Sequence, residues 1–500
     1  MGGTGGESAT QLLHRLTSYR PDREWDVPVD DPRVLQDFVN SDLGRHAPFV
    51  KRYASVLART PLPRDLLVSR VPALAVLAGS AEPTEPPEPP VDLAGLSRLL
   101  HLTAGVVRTS QHKIGTHLFR AAGSAGGRFP LEFYVAVPEG SGLPQGVHWY
   151  DPVAHALVLV GPPPRPIGPA PGAPTVVVTG VPWRTGWKYA ERGFRHVYWD
   201  AGTALSQLLA LADSAGYAPS LYSRFPDAAV SELVGADGTY EWPVALVTLG
   251  DGAPTITAAA AATAGSIDAD PLEFPLVTAA QHGGDLDHLG SAWATGAAVE
   301  VPTGPTTSLD EVIAKRGSQR RMDPERGLPV DTLRACLDVA LRGIDIEHWI
   351  AVNAVTGLDS GIYRWPTLSE PVRPVGPESM RAELYHVCLD QGLARDAAFV
   401  VIAATDVSRL SDREYREAQL AAGIVEGRVH LAAYALGASA CGMTFMDSEI
   451  PALLGGSRPG ADADGLGGLL FTCVGVPANS SKPGGGPGMP TEVRQLKRRD

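Results

Sequence analysis

Three stretches of the chain combine residue types and spacings that could do chemistry. The first is the run Gly123, Ser124, Ala125, Gly126, Gly127, set between Arg120 and Arg128. Its glycines let backbone N–H groups approach a ligand closely, and Ser124 adds a hydroxyl. Runs of this kind also make ordinary turns. The second is Ala314–Arg321, AKRGSQRR, where Arg316, Ser318, Arg320 and Arg321 gather positive charge and a hydroxyl at the approach to a helix. Guanidinium groups and helix-end N–H groups suit a phosphate, although a solvated basic loop is the plainer use of such a run. The third is Lys188-Tyr189, opening KYAERGFRHVYWDAG. A lysine driven toward neutrality by burial can accept a proton, and a tyrosine can relay one. The alternative is an exposed lysine beside a packed tyrosine.

The elements that must position these residues follow from periodicity and punctuation. Helical spacing is expected over Gln11–Tyr19, Asp31–Val39 and Val50–Leu57, and Ala81–Pro90 (AEPTEPPEPP) reads as an extended, solvated linker. Leu93–Val107 resumes helical spacing. Strands are expected at Leu131–Val137, Gly146–Tyr150, Ala156–Val160, Thr175–Thr179 and Trp242–Leu249, with a helix over Ala201–Ser214. Ala253–Asp310 reads as a low-pattern linker of Ala, Gly, Thr and Pro. A second set follows: helix Asp331–Leu341 with Asp331 as N-cap, strands His348–Val355, Gly361–Trp365 and Ala398–Ala404, a long helix Arg413–Leu436, and a last strand Leu469–Val476.

The second set repeats the first. Glu132–Pro162 lies over Glu347–Pro377 at a constant offset of 215 without gaps, matching Val135-Ala136-Val137 to Ile350-Ala351-Val352 and Val160-Gly161-Pro162 to Val375-Gly376-Pro377. Gly202 and Gly216 are fourteen residues apart, as are Gly423 and Gly437. An ordered series of matches argues for a duplicated α+β unit. The copies differ where function would reside. The first carries the Gly/Ser loop and the second the Arg/Ser run. Complementary losses imply one composite site built across the two copies.

Bulk properties narrow the classes. At 500 residues the chain should form two or more domains. A net charge of −13 argues against a nucleic-acid partner. Cys336, Cys388, Cys441 and Cys473 form no CxxC, and no HxxxH or HExxH occurs, so neither a disulfide framework nor a metal site is expected. The opening MGGTGGESAT has no basic n-region or apolar h-region, and no apolar stretch reaches membrane-spanning length. The expectation is a cytoplasmic protein with neither a membrane nor a metal.

With these residues in view, the sequence resembles the nitroreductase-like flavoenzymes, and among them the SagB-type (thiazoline/oxazoline) dehydrogenases of ribosomal-peptide biosynthesis. Those enzymes are homodimers with FMN at the interface. Arg316-Gly317-Ser318-Gln319-Arg320 looks like their FMN-phosphate motif. Gly123-Ser124-Ala125-Gly126 looks like their flavin loop, with Gly123 in place of the usual proline. Lys188-Tyr189 looks like their Lys-Tyr pair. The resemblance implies two tandem nitroreductase-like domains forming an intrachain pseudo-dimer with a helical N-terminal extension. The divisions are 1–80 (extension), 91–252 (first domain), 253–308 (linker), 309–480 (second domain) and 481–500 (tail). It implies FMN held by Arg316, Ser318, Arg320, Ser124, Ala125, Gly126 and Gly442. Lys188 and Tyr189 would be catalytic, and Arg195 and His196 would lie against substrate. The implied activity is oxidation of peptide azolines to azoles in the making of peptide natural products such as thiopeptide antibiotics. A precursor peptide, a cyclodehydratase and a second copy of the chain are the implied partners. An NAD(P)H-dependent reductase of small molecules and a non-catalytic peptide scaffold are the competing readings. No dinucleotide-binding glycine fingerprint favours the former.

Overall fold

Strand-forming runs rich in valine and other β-branched residues build two antiparallel sheets. The computed structural model describes residues 6–21, 33–35, 38–81, 91–112, 115–301, 306–455 and 465–494. In the first sheet the spatial order is Arg59–Pro61, Ala156–Gly161, Gly146–Asp151, Leu131–Val137, Thr175–Gly180, Trp242–Thr248 and Ser220–Tyr222. In the second it is Arg373–Pro374, Gly361–Arg364, Glu347–Val352, Phe399–Thr405, Gly467–Gly475 and Ser439–Met443. Leaving aside the added edge strand Arg59–Pro61, the two orders are the same, element for element. The repeat read from the sequence is thus a repeat of topology.

Two long helices lie between the sheets, Gly193–Ser214 and Asp412–Ala435. The second starts in a capping box, Ser411 with Glu414, which satisfies N–H groups at its first turn. Both helices are buried along nearly their whole length. They cross where glycines remove the side chain. A Cβ placed on Gly202 would stand 2.5 Å from Leu420 O, and one on Gly423 would stand 2.5 Å from Trp199 O. Gly202 and Gly423 are the matched glycines of the repeat, and Trp199 and Leu420 are matched at the same spacing. The contact is therefore reciprocal, as it is across a two-fold axis.

The same reciprocity governs the charges. Arg192 and Arg195 of the first long helix region hold Asp447, each at 2.6 Å. Arg413 and Arg416 of the second hold Asp227, at 2.8 and 3.1 Å. Between them Phe194 stacks on Tyr415 with centroids 6.4 Å apart. At the other end of the interface Ala73 N–H donates to Thr307 O and Leu309 N–H donates to Val71 O, at 3.0 and 3.1 Å.

Several expectations need correcting. Residues 253–301, expected as a low-pattern linker, are anchored to the fold at several points. Ala253–Pro254 pairs with Gly172–Ala173, and the helix Pro275–Gly283 buries Leu276, Val277, Ala280 and Gln281. The alanines between these anchors are largely exposed. Val50–Leu57 is irregular, not helical, because Lys51 and Tyr53 turn inward to a buried network with Tyr134 and Glu241. The helix Val330–Ala340 is capped by Pro329 rather than Asp331. Gln11–Tyr19 contributes the helix Ala9–Leu16. The tail is docked through Thr491–Glu492, which pairs with Arg108–Thr109. The linker 82–90 and much of the helix expected over Asp31–Val39 lie outside the described residues. Among the described residues no helix is long and apolar enough to cross a membrane.

The helix crossing makes a direct prediction. Gly423→Ala should cost about 1–3 kcal/mol in denaturant unfolding, because the methyl meets backbone that cannot rotate away. Gly376→Ala, with open space around it, should stay within about 0.5 kcal/mol.

Candidate functional site

The Gly/Ser loop follows a β-hairpin, Val106–His112 with Gly115–Arg120, that periodicity did not reveal. The loop is shaped by Asp200 of the first long helix. Ser124 Oγ donates to Asp200 Oδ2, Ala125 N–H donates to Asp200 Oδ1 at 2.9 Å, and Phe129 N–H donates to Ser124 Oγ at 2.7 Å. Ser124 therefore spends its hydroxyl on the loop, not on a free ligand position. Gly126 and Gly127 adopt φ values of +59° and +66°, which glycine takes at no steric cost.

Lys188 and Tyr189 end the helix Pro182–Tyr189. That helix is fixed by Arg184, which pairs with buried Glu132 at 2.5 Å and donates to Pro48 O at 2.9 Å. The pair lies against the loop. A Cβ on Gly126 would fall 2.6 Å from Tyr189 Oη and 3.0 Å from Lys188 Nζ. Tyr189 stacks on His196 at 4.0 Å, and burial raises its phenol well above the usual range. His196 is 2% exposed and has both ring nitrogens buried without a partner. Burial, with Arg192, Arg195 and Lys188 nearby, holds it neutral. It is the wall behind Tyr189 rather than a residue facing substrate. Arg195 is 0% exposed and bound to Asp447, His14 O and Thr17 Oγ1. The substrate contact expected of it is overturned by this internal clasp.

The second half brings Arg316 to the same place. Its Nε donates to Gln207 Oε1 at 2.8 Å and its Nη2 to Ala121 O, while Nη1 is buried without a partner. A Cβ on Gly123 would stand 3.4 Å from that Nη1. Burial and the neighbouring Arg108 pull the Arg316 guanidinium down to about 10. An anion would relieve both the orphaned donor and the repulsion. Ser318 and Arg320 are exposed beyond it, with buried Gln319 between them. Gly442 lies on the edge strand Ser439–Met443, not in the turn expected after the long helix.

Gly442 lacks a side chain because the Glu426 carboxyl occupies that space. Sequence reasoning missed Glu426 and Asp200, which face each other from the two long helices. Burial pushes the Glu426 carboxyl up to about 8, with Asp200 adding to the effect and Arg316 opposing it. Burial pushes Asp200 up to about 7, against its bonds from Ser124 and Ala125. The sequence offered no signal for them, since both helices carry other charged residues as well.

The two-fold counterpart of this site is filled. At the helix-crossing spacing, Asp200 corresponds to Ala421 and Glu426 to Leu205. The helix Ala73–Ala78 ends in Gly79 where Leu309–Lys315 ends in Arg316. The Arg342 guanidinium occupies the space beside Gly79. The 253–301 segment closes over it, with Val299 N–H on Ala78 O at 3.0 Å and Arg342 Nε on Thr295 O at 3.1 Å.

These charges set three expected outcomes. The raised Glu426 carboxyl binds its proton more tightly folded than unfolded, so its contribution is present at low pH and is lost as pH rises from about 4.5 toward about 8. Glu426→Gln should therefore gain in Tm over the unsubstituted protein progressively between pH 5 and pH 8. Asp447→Ala should cost about 3–5 kcal/mol by stranding two buried guanidiniums. Arg195→Ala should likewise lose stability without altering KM in the folded protein. A KM change confined to Arg195→Ala would restore its contact with substrate.

Comparison with known proteins agrees with the topology. Residues 167–251 match the model of the nitroreductase family. A Methanocaldococcus jannaschii protein described as a nitroreductase is 28% identical over 144 residues, covering 26% of this chain and 70% of that one. A crystal structure from Anabaena variabilis, likewise described as a nitroreductase, superposes with a TM-score of 0.70 at 23% identity, covering 94% of this chain and 100% of that one. That likeness spans both sheets and establishes the fold. The chain thus matches the nitroreductase family over residues 167–251 and shares its fold, along almost its whole length, with a structure described as a nitroreductase.

Proposed function

We propose that the chain is an FMN-dependent dehydrogenase that oxidises peptide azolines to azoles at one site formed between two fused nitroreductase-like halves, an intrachain pseudo-dimer. The observation that carries the reading is the convergence of Gly123–Gly127, Lys188 and Tyr189 from one half with Arg316 and Gly442 from the other. The match of residues 167–251 to the nitroreductase family supports a flavin chemistry.

The residues fit FMN on physical grounds. The orphaned, buried Arg316 donor suits a phosphate, with exposed Ser318 and Arg320 completing the anion contacts. Gly123 brings the loop backbone to within van der Waals contact of the Arg316 guanidinium, so a group bound at Arg316 also meets the loop. When bound, FMN supplies a two-electron acceptor for the hydride that leaves the azoline. The chain supplies the rest. Tyr189 stays a protonated phenol, so it orients by donating a hydrogen bond. The base role falls to Lys188, whose Nζ, once it has released its own proton to solvent, takes the ring proton as the new ring double bond forms. Asp200 holds the loop against this corner. The filled counterpart supports one flavin per chain.

The purified protein should be yellow, with about one FMN per chain, a stoichiometry set by one composite site. Arg316→Ala should lose most of the flavin. Lys188→Ala should keep the flavin and lower turnover of an azoline peptide by about 10²–10⁴-fold. Mass spectrometry should show the loss of two hydrogens per ring, as the reaction requires. A yellow protein that reduces small nitro compounds with NAD(P)H and leaves azoline peptides unchanged would replace this reading with a small-molecule reductase.

A further inference from the structure

The N-terminal segment and the Val106–Arg120 hairpin, neither of which carried a motif in the sequence, meet beside Lys188 in a wall of rings. Phe49 packs edge-on to His117, and His117 packs on Phe119, each with centroids 4.5 Å apart. His46 lies 5.1 Å from Phe49 and 4.8 Å from Trp187. The Arg128 guanidinium forms the back of the wall, 4.2 Å from the Trp187 centroid and 4.8 Å from that of Phe49. Its Nε, Nη1 and Nη2 donate to Arg184 O, His46 Nε2 and Ala47 O. Arg128 therefore offers its face, not its N–H groups.

His46, Phe49, His117 and Phe119 are all half-buried, so the wall keeps an open side. Burial and Arg128 hold both imidazoles down to about 4, which leaves them neutral at physiological pH, with Asp268 opposing the effect at His46. The surface is thus aromatic and uncharged at its front, its rings meeting at interplanar angles of 43° to 68°. The wall is also adjacent to the proposed chemistry. A Cβ on Gly127 would stand 3.0 Å from His117 Nε2, and the neighbouring Gly126 abuts Lys188 and Tyr189. Gly126 and Gly127 are neighbours in sequence, so the loop that abuts Lys188 and Tyr189 also abuts His117.

We infer that His46, Phe49, His117 and Phe119 seat a planar, neutral five-membered heterocycle of the substrate and present its edge to Lys188. Aromatic edges and faces gain from a flat unsaturated partner, whereas a charged side chain would lose solvation against neutral rings. The inference rests on the dehydrogenase reading for the identity of the ring. The wall itself is defined without it.

The test uses the full-length protein and a capped peptide containing one thiazole, the product ring, titrated by calorimetry with flavin content read separately. His117→Ala and Phe119→Leu are the variants, each checked by thermal melting. The thiazole peptide should bind, and both variants should weaken it by roughly tenfold or more, in line with the loss of an aromatic contact, while flavin per chain stays unchanged. In turnover of the azoline peptide, the loss should fall on KM rather than kcat. Equal binding by the protein and both variants, or preference for a peptide with lysine in place of the ring, would overturn the inference. A colourless protein that still binds the thiazole peptide through His117 would sink the flavin reading and leave the wall standing.

Discussion

The structure depends on one close approach. Gly202 and Gly423 let two long helices cross at a separation where a single methyl would strike backbone. Everything described at the centre of the molecule follows from that spacing. It brings Asp200 and Thr203 of one helix opposite Glu426 of the other. It lets the loop of one half reach the Arg316 guanidinium of the other. Larger residues would separate the helices, and the composite site would come apart before any of its own residues had changed.

The second organising fact is symmetry in structure with asymmetry in chemistry. The clasps Arg192/Arg195–Asp447 and Arg413/Arg416–Asp227 are mirror uses of one pattern. Buried charges of this kind are expensive unless paired, so each clasp admits only the matching surface. The chemistry does not share this balance. Asp200, Glu426 and Arg316 have Ala421, Leu205 and Gly79 at the corresponding places. Arg342 and the 253–301 segment fill the volume that remains. A symmetric homodimer must place the same residue at both sites, whereas two halves of one chain can each vary alone.

Much of this was legible in the sequence. The strands of both halves were marked by β-branched runs, and the order of the repeat matched the order of the sheets. The three chemical stretches do meet, apart from Ser318 and Arg320, which lie exposed at the rim. What was not legible had physical causes. RGFR at 192–195 and REYR at 413–416 repeat each other, but arginines in sequence resemble ligand contacts as much as interface clasps. Arg195 was read the wrong way for that reason. Asp200 and Glu426 have no local pattern, because their role depends on a helix crossing between residues more than two hundred positions apart. The 253–301 segment looked like a linker because most of its residues face solvent and follow no period, while its anchors, such as Leu276 and Val277, are short and isolated. Phe49 and His117 sit in segments without periodicity, since a ring wall assembled from loops needs none.

The clasps have a consequence for how the chain reaches this structure. Arg195 finds Asp447 across 252 residues of sequence, and Arg413 finds Asp227 across 186. Contacts so distant in the chain pay their loop-closure entropy late. Each half must therefore organise its own sheet before its charges can be neutralised by the other. During synthesis the first half emerges with Arg192 and Arg195 still hydrated and Asp227 unpaired. Until the second long helix is made, the docking face of the first half therefore carries charges whose partners are still to come.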